Sequence, residues 1–289
     1  MVQEETIRKP KISACIIAYK HEKFIRKCIE GALNQDLDCD YEIIIGEDKS
    51  PDNTLEICRE YQQKHPDLIK LVERDKNLGM MGNWLETLRA CNGEYIAICE
   101  GDDYWVDKSK LKKQISFLDQ HLEYSMCATK TRRVDENGEF GENTGKKYGK
   151  IELEDVLWQN QFGTCTVVLR RIHLDFPPFE NYYKFFGPDW QMWCFMLSKG
   201  LGYNMKDLTA IYHVHGGGAS SGRDRINILR NKLEDRMLMI DNFPNKKKII
   251  KNYGLKIIIN YTWQSLRRQK SYYRALLENK KLIKSYLFY

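Results

Sequence analysis

The feature that most constrains the fold is a fourfold alternation of short apolar runs with amphipathic segments in the first hundred residues. The apolar runs are typical of buried strands, and the segments between them carry apolar residues at helical spacing. The predicted strands span residues 12–18, 41–45, 68–73 and 94–98. The predicted helices span residues 22–33, 51–64 with Ser50 as N-cap, and 81–91. This alternation predicts a parallel α/β sheet with right-handed crossovers.

Beyond Trp105 the pattern is mixed. The sequence predicts helices at 110–120 and 189–198, strands at 124–134 and 162–169, and two short strands near Gly202 and Ala210. The stretch 137–150 is rich in Gly, Asn and Lys, which is typical of a mobile loop. The length of 289 residues predicts one large α/β domain with an appendage.

Composition excludes several classes of protein. The apolar and charged fractions, 42% and 30%, are those of a globular protein and exclude global disorder. Nine scattered cysteines without a Cys-x-x-Cys pair predict buried thiols in a reducing cytosol, not a disulfide framework or a zinc site. The polar residues 1–11 predict that there is no signal peptide, and no apolar run approaches the ~20 residues that span a bilayer.

Charge is divided unevenly along the chain. Residues 241–289 hold twelve Lys and Arg and two acidic residues, a net charge of +10, so the total of +6 leaves −4 for residues 1–240. In this basic segment the cations interleave with aromatic and aliphatic residues at roughly helical spacing. Such a pattern fits a helix on an anionic membrane surface. It fits equally well a helical hairpin that packs on its own domain or on a second subunit.

Three carboxylates follow the last of the four predicted strands. Glu100, Asp102 and Asp103 lie at its carboxyl end, which is where open α/β sheets bind ligands. Adjacent carboxylates repel unless a cation lies between them, and oxygen ligands suit hard ions such as Mg²⁺ or Mn²⁺. A solvated acidic turn is the alternative that these residues alone leave open.

Six motifs then occur in an order that is typical of one family. They are residues 14–19, Gly-Glu-Asp-Lys-Ser at 46–50, Asn-Leu-Gly at 77–79 with Asn83, Gly-Asp-Asp-Tyr-Trp at 101–105, Pro-Asp-Trp at 188–190, and Tyr-His-Val-His at 212–215. Over about residues 10–220 the chain resembles the bacterial family 2 glycosyltransferases of the GT-A fold. That fold is a Rossmann-like mixed α/β sheet flanked by helices. One departure is that the family often has Tyr-Arg-x-His where this chain has a second histidine, His213.

The resemblance implies a division of the chain. It gives a GT-A glycosyltransferase domain at 1–221, with nucleotide-sugar binding at about 10–105 and the acceptor side at 106–221. A basic helical C-terminal extension at 222–289 lies outside it. The implied reaction is inverting transfer of a sugar, such as a hexose, from a UDP- or dTDP-type donor to a glycan acceptor.

The resemblance also implies the donor-side residues. They are Ala18, Tyr19, Asp48, Asn77 and Asp102. Asp48 would accept a hydrogen bond from the base, and its alternative is a helix-capping role beside Ser50. Asp102 would contact the ribose or support the metal site from behind.

Metal and acceptor residues follow from the same likeness. Asp103 would hold Mg²⁺ or Mn²⁺, which stabilises the leaving diphosphate. His215 would be a further ligand or a diphosphate contact, with a structural loop histidine as the alternative; His213 is expected to face away. Asp189 would be the general base on the acceptor side, since a helix N-terminus favours an ionised carboxylate. Trp190 would form an apolar wall for a sugar ring.

Two rival functions remain open from the sequence. One is a nucleotidyltransferase, although the Gly-rich loop it usually carries after the first strand is missing. The other is a non-catalytic nucleotide- or nucleic-acid-binding protein that uses the basic segment; since no such motif occurs, we expect no nucleic-acid partner. Bacterial relatives extend lipid-linked glycans for surface polysaccharides. We therefore expect a cytoplasmic enzyme with a lipid-linked acceptor. Residues 242–289 are expected to contact the membrane surface or to mediate a homo-oligomer.

Overall fold

A computed structural model describes residues 9–135, 137–143, 147–174, 177–218 and 225–267, with residues 280, 284 and 288. The first half alternates strands and helices, as predicted. Its elements are β1 Ile12–Ala18, α1 Ile25–Leu33, β2 Tyr41–Glu47, α2 Thr54–Lys64, β3 Ile69–Glu73, α3 Gly79–Ala90 and β4 Tyr95–Glu100. Strand β1 lies between β2 and β4, and β3 pairs with the other side of β2. The three pairings β1–β2, β1–β4 and β2–β3 are parallel.

The second half adds mostly antiparallel pairings. Its elements are β5 Tyr104–Trp105, α4 Lys110–Gln120, β6 Tyr124–Asp135, β7 Gly138–Asn143, β8 Gly149–Ile151, α5 Leu153–Trp158, β9 Val168–Arg170, α6 Asp189–Lys199, β10 Leu201–His213, α7 Arg225–Asn242 and α8 Lys247–Arg267. The strand order is β3-β2-β1-β4-β9-β6-β10-β5, with β7 on β6 and β8 on β10. The predicted α/β class is confirmed, and the sheet is mixed.

Several local predictions are wrong. The stretch 137–150, predicted as a mobile loop, contains β7 and the start of β8. The predicted helix at 51–64 begins at Thr54, because the carboxylate of Asp52 accepts hydrogen bonds from the Thr54 amide at 3.1 Å and its hydroxyl at 2.5 Å. Ser50 does not cap it; its hydroxyl accepts the Lys20 amide at 2.9 Å. The predicted strand at 162–169 is a 3₁₀ turn at 164–166 followed by β9. The two short strands near Gly202 and Ala210 are one strand, β10, which is irregular at Asn204–Ala210.

Each face of the sheet carries its own core. Strand β1 shows the two-residue period, since Ile12, Ala14 and Ile16 pack on one face and Cys15 on the other. Helices α1, α2 and α4 cover the first face, and α3, α5 and α6 cover the second. The nine cysteines are all reduced, and eight of them are buried.

Helices α7 and α8 extend the second core. Met239, Ile240 and Ile250 are at most 4% exposed and belong to the same cluster as α3 and α6. The first part of the basic segment, α8, therefore forms a helical hairpin with α7 that packs on its own domain. The residues 219–224 around the predicted domain boundary, and most of 268–289, lie outside the described residues. Among the described helices, none is both long and apolar enough to span a bilayer.

Candidate active site

The acidic turn after β4 is tightly packed against β1. The Gly101 amide donates to the Ile17 carbonyl at 2.8 Å, and the Asp103 amide donates to the Glu100 carbonyl at 2.9 Å. A Cβ at position 101 would lie 2.8 Å from Nδ1 of His21 and 3.1 Å from the Ile17 oxygen. Glycine is therefore required for the close approach that brings the carboxylates to the end of the sheet.

Two of the carboxylates, Glu100 and Asp103, point into one small space. Their oxygens and the Cys165 sulfur lie within 4.8 Å of one another, a grouping of potential metal ligands in the described part of the chain. Oε2 of Glu100 is buried and has no hydrogen-bond partner among the described residues. Burial, the neighbouring charge of Asp102 and other nearby carboxylates raise the pKa of Glu100 to about 8. Burial and the charges of Asp102 and Glu100 raise the pKa of Asp103 as well.

This pair fits a hard divalent cation. A positive ion between the two carboxylates would remove the repulsion that raises both pKa values, and it would supply the missing partner of Oε2. Cys165 fits a different role. Its pKa is raised by burial and by the nearby carboxylates, and the protonated thiol is a hydrogen-bond donor for Asp103. Oxygen ligands with a neutral thiol behind them favour Mg²⁺ or Mn²⁺ over a soft metal.

The third carboxylate, Asp102, points towards histidines. Its Oδ2 lies 3.0 Å from Nε2 of His215 and 3.8 Å from Nε2 of His21. Burial alone would raise the pKa of Asp102, but the His215 hydrogen bond and the nearby His21 outweigh it and lower the pKa. Asp102 is therefore an ionised carboxylate beside the pair of Glu100 and Asp103.

His213 does not face away, so that prediction is wrong. Its Nδ1 lies 2.8 Å from the Asp102 carbonyl oxygen, and its amide donates to Oδ1 of Asp103 at 2.9 Å. The rings of His213 and His215 both pack on Phe24, at 5.2 and 4.6 Å between centroids. The end of β10 thus holds the acidic turn from the side opposite to β1.

A cleft of about 630 Å³ opens in front of this turn. Asp102, Asp103, His215, Asp189 and Trp190 all line it, so five of the predicted site residues meet in one cavity. Further lining residues are Ile17, Trp84, Glu100, Arg133, Asn160, Tyr212, Lys232, Asp235, Arg236 and Tyr253.

Asp189 and Trp190 lie at the start of α6, across the cleft from the acidic turn. Burial raises the pKa of Asp189, and hydrogen bonds from the Trp190 amide and the Asn160 side chain oppose that rise. Nδ2 of Asn160 donates to Oδ2 of Asp189 at 3.0 Å. The Trp190 ring is 8% exposed, and its Nε1 donates to the Val156 carbonyl at 2.7 Å.

The other predicted donor residues gather at the ends of β1, β2 and β3. The Asp48 amide donates to the Ala18 carbonyl at 3.0 Å, and Nδ2 of Asn77 donates to the Asp48 carbonyl at 2.9 Å. Tyr19 follows Ala18 and is 39% exposed. These four residues do not line the cleft described above; they form a neighbouring rim.

Asp48 has a capping role, though not beside Ser50. Its Oδ1 accepts the Leu78 amide at 2.7 Å, where α3 begins. The amides of Lys49 and Ser50 bond instead to the carboxylate of Glu47, at 3.0 and 2.9 Å. Burial raises the pKa of Asp48 although the hydrogen bonds at the start of α3 oppose it. Its predicted contact with a nucleotide base stays a prediction.

Sequence reasoning gave no role to Cys165, which lies beside the acidic turn, or to several residues that line the cleft. Cys165 gave no signal because it lies in a 3₁₀ turn far from the acidic motif. The missed residues of the C-terminal helices are Lys232, Asp235, Arg236 and Tyr253. A weak signal was available, since Lys232, Asp235, Arg236 and the buried Met239 recur at the three- and four-residue spacing of one helix face.

Comparisons with known proteins agree with this architecture. The family described as Glycosyl transferase family 2 matches residues 13–175. The chain therefore belongs to glycosyltransferase family 2. An uncharacterized protein of Mycobacterium tuberculosis, Rv1520, is 36% identical over 164 residues, which are 55% of this chain and 47% of that protein. The chain thus spans about half the length of that relative.

A second relative matches over a longer stretch. It is the Escherichia coli UDP-Glc:α-D-GlcNAc-diphosphoundecaprenol β-1,3-glucosyltransferase WfaP, 27% identical over 218 residues, which cover 73% of this chain and 80% of that protein.

Solved structures show the same fold. Staphylococcus aureus TarS 1–349 in complex with UDP-GlcNAc superimposes with a TM-score of 0.68 at 18% identity, over 92% of this chain and 79% of that chain. The mannosyltransferase PcManGT from Pyrobaculum calidifontis, in complex with GDP-Man and Mn²⁺, gives a TM-score of 0.63 at 15% identity, over 98% and 83%. The mixed sheet with flanking helices is the GT-A fold of these neighbours, as predicted.

Proposed function

We propose that this protein is an inverting, metal-dependent glycosyltransferase. It moves a sugar, such as a hexose, from a UDP- or dTDP-type donor to a glycan acceptor in surface-polysaccharide synthesis. The observation that carries the proposal is that the acidic turn at Asp102–Asp103 and the carboxylate of Asp189 line one cleft from different elements. Family membership supports the class of reaction.

The donor is proposed to lie between the rim at Ala18, Tyr19, Asp48 and Asn77 and the acidic turn. The rim would hold the base and ribose, and the ionised Asp102 would accept a hydrogen bond from a ribose hydroxyl. Asp103, with Glu100 beside it, would hold Mg²⁺ or Mn²⁺ next to the diphosphate. When bound, the ion supplies positive charge that stabilises the leaving nucleoside diphosphate. PcManGT, whose structure contains Mn²⁺, supports the choice of ion.

Asp189 is proposed to be the general base. As the acceptor oxygen forms its bond to the anomeric carbon, the bond from that carbon to the diphosphate oxygen breaks and the acceptor proton passes to Asp189. A raised pKa makes this carboxylate, when ionised, a stronger base than an ordinary one. Asn160 orients the carboxylate through its 3.0 Å hydrogen bond. Trp190 would form part of the apolar wall beside the sugar ring, and His215 would hold Asp102 in place or contact the diphosphate.

The test of this function is a screen of nucleotide sugars. Donor hydrolysis and UDP binding are measured with and without Mn²⁺ or Mg²⁺, and oligonucleotide binding is measured in parallel. We expect metal-dependent affinity for one nucleoside diphosphate and slow hydrolysis of its sugar ester. Salt-sensitive oligonucleotide binding without any affinity for nucleoside diphosphates would overturn the proposal in favour of a nucleic-acid binder.

The acceptor is further proposed to be lipid-linked and to be met at the inner face of the cell membrane. The name of WfaP specifies a diphosphoundecaprenol acceptor, and residues 241–289 of this chain have a net charge of +10. Each Lys or Arg near an anionic surface contributes about 1 kcal/mol to membrane binding. A soluble enzyme body with this segment would then act as a peripheral membrane protein.

Charge substitution tests the membrane proposal better than truncation does. Truncation after Asn242 would remove Ile250, which is fully buried in the core. We therefore replace Arg267, Arg268, Lys270 and Arg274 by Gln. The control replaces four exposed cations of the body, Arg26, Arg59, Lys64 and Lys112, whose side chains are 47–58% exposed.

Binding to anionic vesicles should fall about a hundredfold or more in the first variant and much less in the control, with UDP affinity unchanged in both. Unchanged vesicle binding would remove the membrane proposal. If light scattering then showed loss of a dimer, the segment would be the oligomerisation element that the sequence left open.

A further inference from the structure

We infer that Lys232 and Arg236 of α7 form a binding site for an anionic group of the acceptor, either a phosphate or a carboxylate. The inference rests on the proposed function, because it names the class of acceptor that the cleft takes. It concerns a part of the chain beyond the stretch that matches the family, which ends at residue 175.

Lys232 is a cation of the cleft that no described acidic residue neutralises. Its side chain is exposed where it lines the cavity, and no carboxylate of the described residues lies within ion-pair distance of its Nζ. Burial and the charge of Arg236 lower the pKa of Lys232. Asp235 is its neighbour in sequence, but Oδ1 of Asp235 accepts the Phe186 amide at 2.9 Å. With the buried Arg236 beside it, this exposed lysine gives one wall of the cleft a positive surface that attracts an anionic ligand.

Arg236 is held rigidly beside it. The guanidinium carbon lies 4.7 Å from the centroid of the Trp190 ring and 4.5 Å from that of Tyr253, so the planar group is sandwiched by aromatic faces. Its Nη1 donates to the Lys232 carbonyl at 3.0 Å, and the residue is 6% exposed. Stacking on aromatic rings preserves the full charge of a guanidinium while fixing its plane.

The two cations share one face of α7, since they are four residues apart. Like charges at this spacing destabilise an isolated helix, so tertiary contacts must hold them together. Those contacts are present: Asp235 binds the Phe186 amide, Nδ2 of Asn242 donates to Oδ1 of Asn181 at 2.9 Å, and Met239 is fully buried. The helix is thus anchored on the segment that leads into α6.

The position of Lys232 and Arg236 indicates that they would bind the acceptor and not the donor. Arg236 stacks on Trp190, which directly follows the proposed base Asp189, whereas the acidic turn would hold the cation that neutralises the diphosphate of the donor. An anion held at Lys232 and Arg236 would place a neighbouring acceptor hydroxyl near Asp189. Fixing the acceptor in this way raises the rate by converting an encounter into an oriented contact.

The experiment uses the full chain with saturating UDP and Mn²⁺, so that the donor site is filled. Calorimetric titrations with glycerol 3-phosphate, glucuronate and glucose at equal ionic strength give the affinities of a phosphate, a carboxylate and a neutral probe. The variant is Lys232→Met, which keeps the length of the side chain. The control is Lys206→Met, an exposed lysine of β10 that is not part of the cleft. Circular dichroism and the melting temperature confirm that both fold.

We expect one or both anions to bind, glucose not to bind, and Lys232→Met to weaken anion binding at least tenfold with UDP affinity within twofold. Comparing the two anions shows whether the acceptor carries phosphate or carboxylate. Unchanged anion affinity in Lys232→Met, or a loss of UDP affinity in its place, overturns the inference. Failure of the proposed function is seen separately, as wild-type protein that hydrolyses no nucleotide sugar.

Discussion

The two sides of the cleft differ in charge and in how far apart their residues lie in the sequence. The acidic side is one turn, in which Glu100, Asp102 and Asp103 lie within four residues at the end of β4. The basic side consists of Lys232 and Arg236, about 130 residues later, on a helix that docks against α6. A site carried by one turn is visible as a motif, whereas a site made by docking exists only once the tertiary structure is formed.

The most direct way to break this comparison is to remove the acidic side. Asp103→Asn should lower the transfer rate about a thousandfold or more, because stabilisation of the leaving group by a bound cation is worth several kcal/mol. The variant should also lose Mn²⁺ affinity in calorimetry. Asp38→Asn is the control, since Asp38 is 77% exposed and precedes β2, at the opposite end of that strand from the rim. Full activity in EDTA or in Asp103→Asn would show that the acidic turn holds no catalytic metal.

The next test separates Asp189 from the donor side. Asp189→Asn should lower kcat about a hundredfold to a thousandfold, as loss of a general base does, and leave UDP affinity unchanged. The base must be ionised, and burial raises its pKa. As the pH is lowered, kcat of the wild type should therefore begin to fall at a higher pH than it would with an ordinary carboxyl group. The variant should lack this limb of the profile. Glu180→Gln, an exposed neighbour in the segment before α6, serves as the control. Poor nucleotide binding with normal transfer at saturation would place Asp189 in the donor site.

The smallest effect distinguishes the buried Lys110 from the exposed Lys232 of the cleft. Lys110 is fully buried behind the acidic turn, where its Nζ donates to Gln114 at 2.9 Å and lies 4.3 Å from the Trp105 ring centroid. It therefore has partners within the protein, unlike Lys232. Burial lowers the pKa of Lys110 to about 8. Between that pH and the unfolded value of 10.5 the unfolded chain binds the extra proton, so this group makes the free energy of unfolding rise with pH.

In Lys110→Met that contribution disappears. The difference in unfolding free energy between variant and wild type should change by on the order of 3 kcal/mol from pH 8 to 10.5. Urea unfolding at a series of pH values measures it. Anion binding in the cleft should not change. A difference that does not change with pH would show that burial does not lower the pKa of Lys110.

The sequence predicted the first half of the fold well, and for a physical reason. Strands β1, β2 and β4 are largely buried and contain apolar runs, and the helices that alternate with the strands carry apolar residues at helical spacing. Strand β9, which has three residues, gave no such pattern, and its antiparallel place between β4 and β6 depends on contacts distant in sequence. In β10, register shifts between Asn204 and Ala210 interrupt the alternation, so one strand was taken for two.

The site was predictable to the same extent. Asp102, Asp103 and Asp189 were found because short motifs place them at a strand end and a helix start. The orientation of His213 was missed because it ends β10, where a strand period no longer determines direction. Lys232 and Arg236 were missed because nothing local distinguishes a cation that faces a cleft from one that faces water. Only the packing of Trp190 and Tyr253 around Arg236 makes that distinction.

The docking of α7 and α8 on α6 also orders events during synthesis of the protein. Chains fold from the N-terminus as they leave the ribosome, so the sheet from β1 to β4 and the acidic turn can form early. The wall with Lys232 and Arg236 is added last, together with Tyr253, which completes the aromatic sandwich. If the protein acts as proposed, its transfer activity would therefore begin only when the C-terminal hairpin has emerged and completed the acceptor side of the cleft.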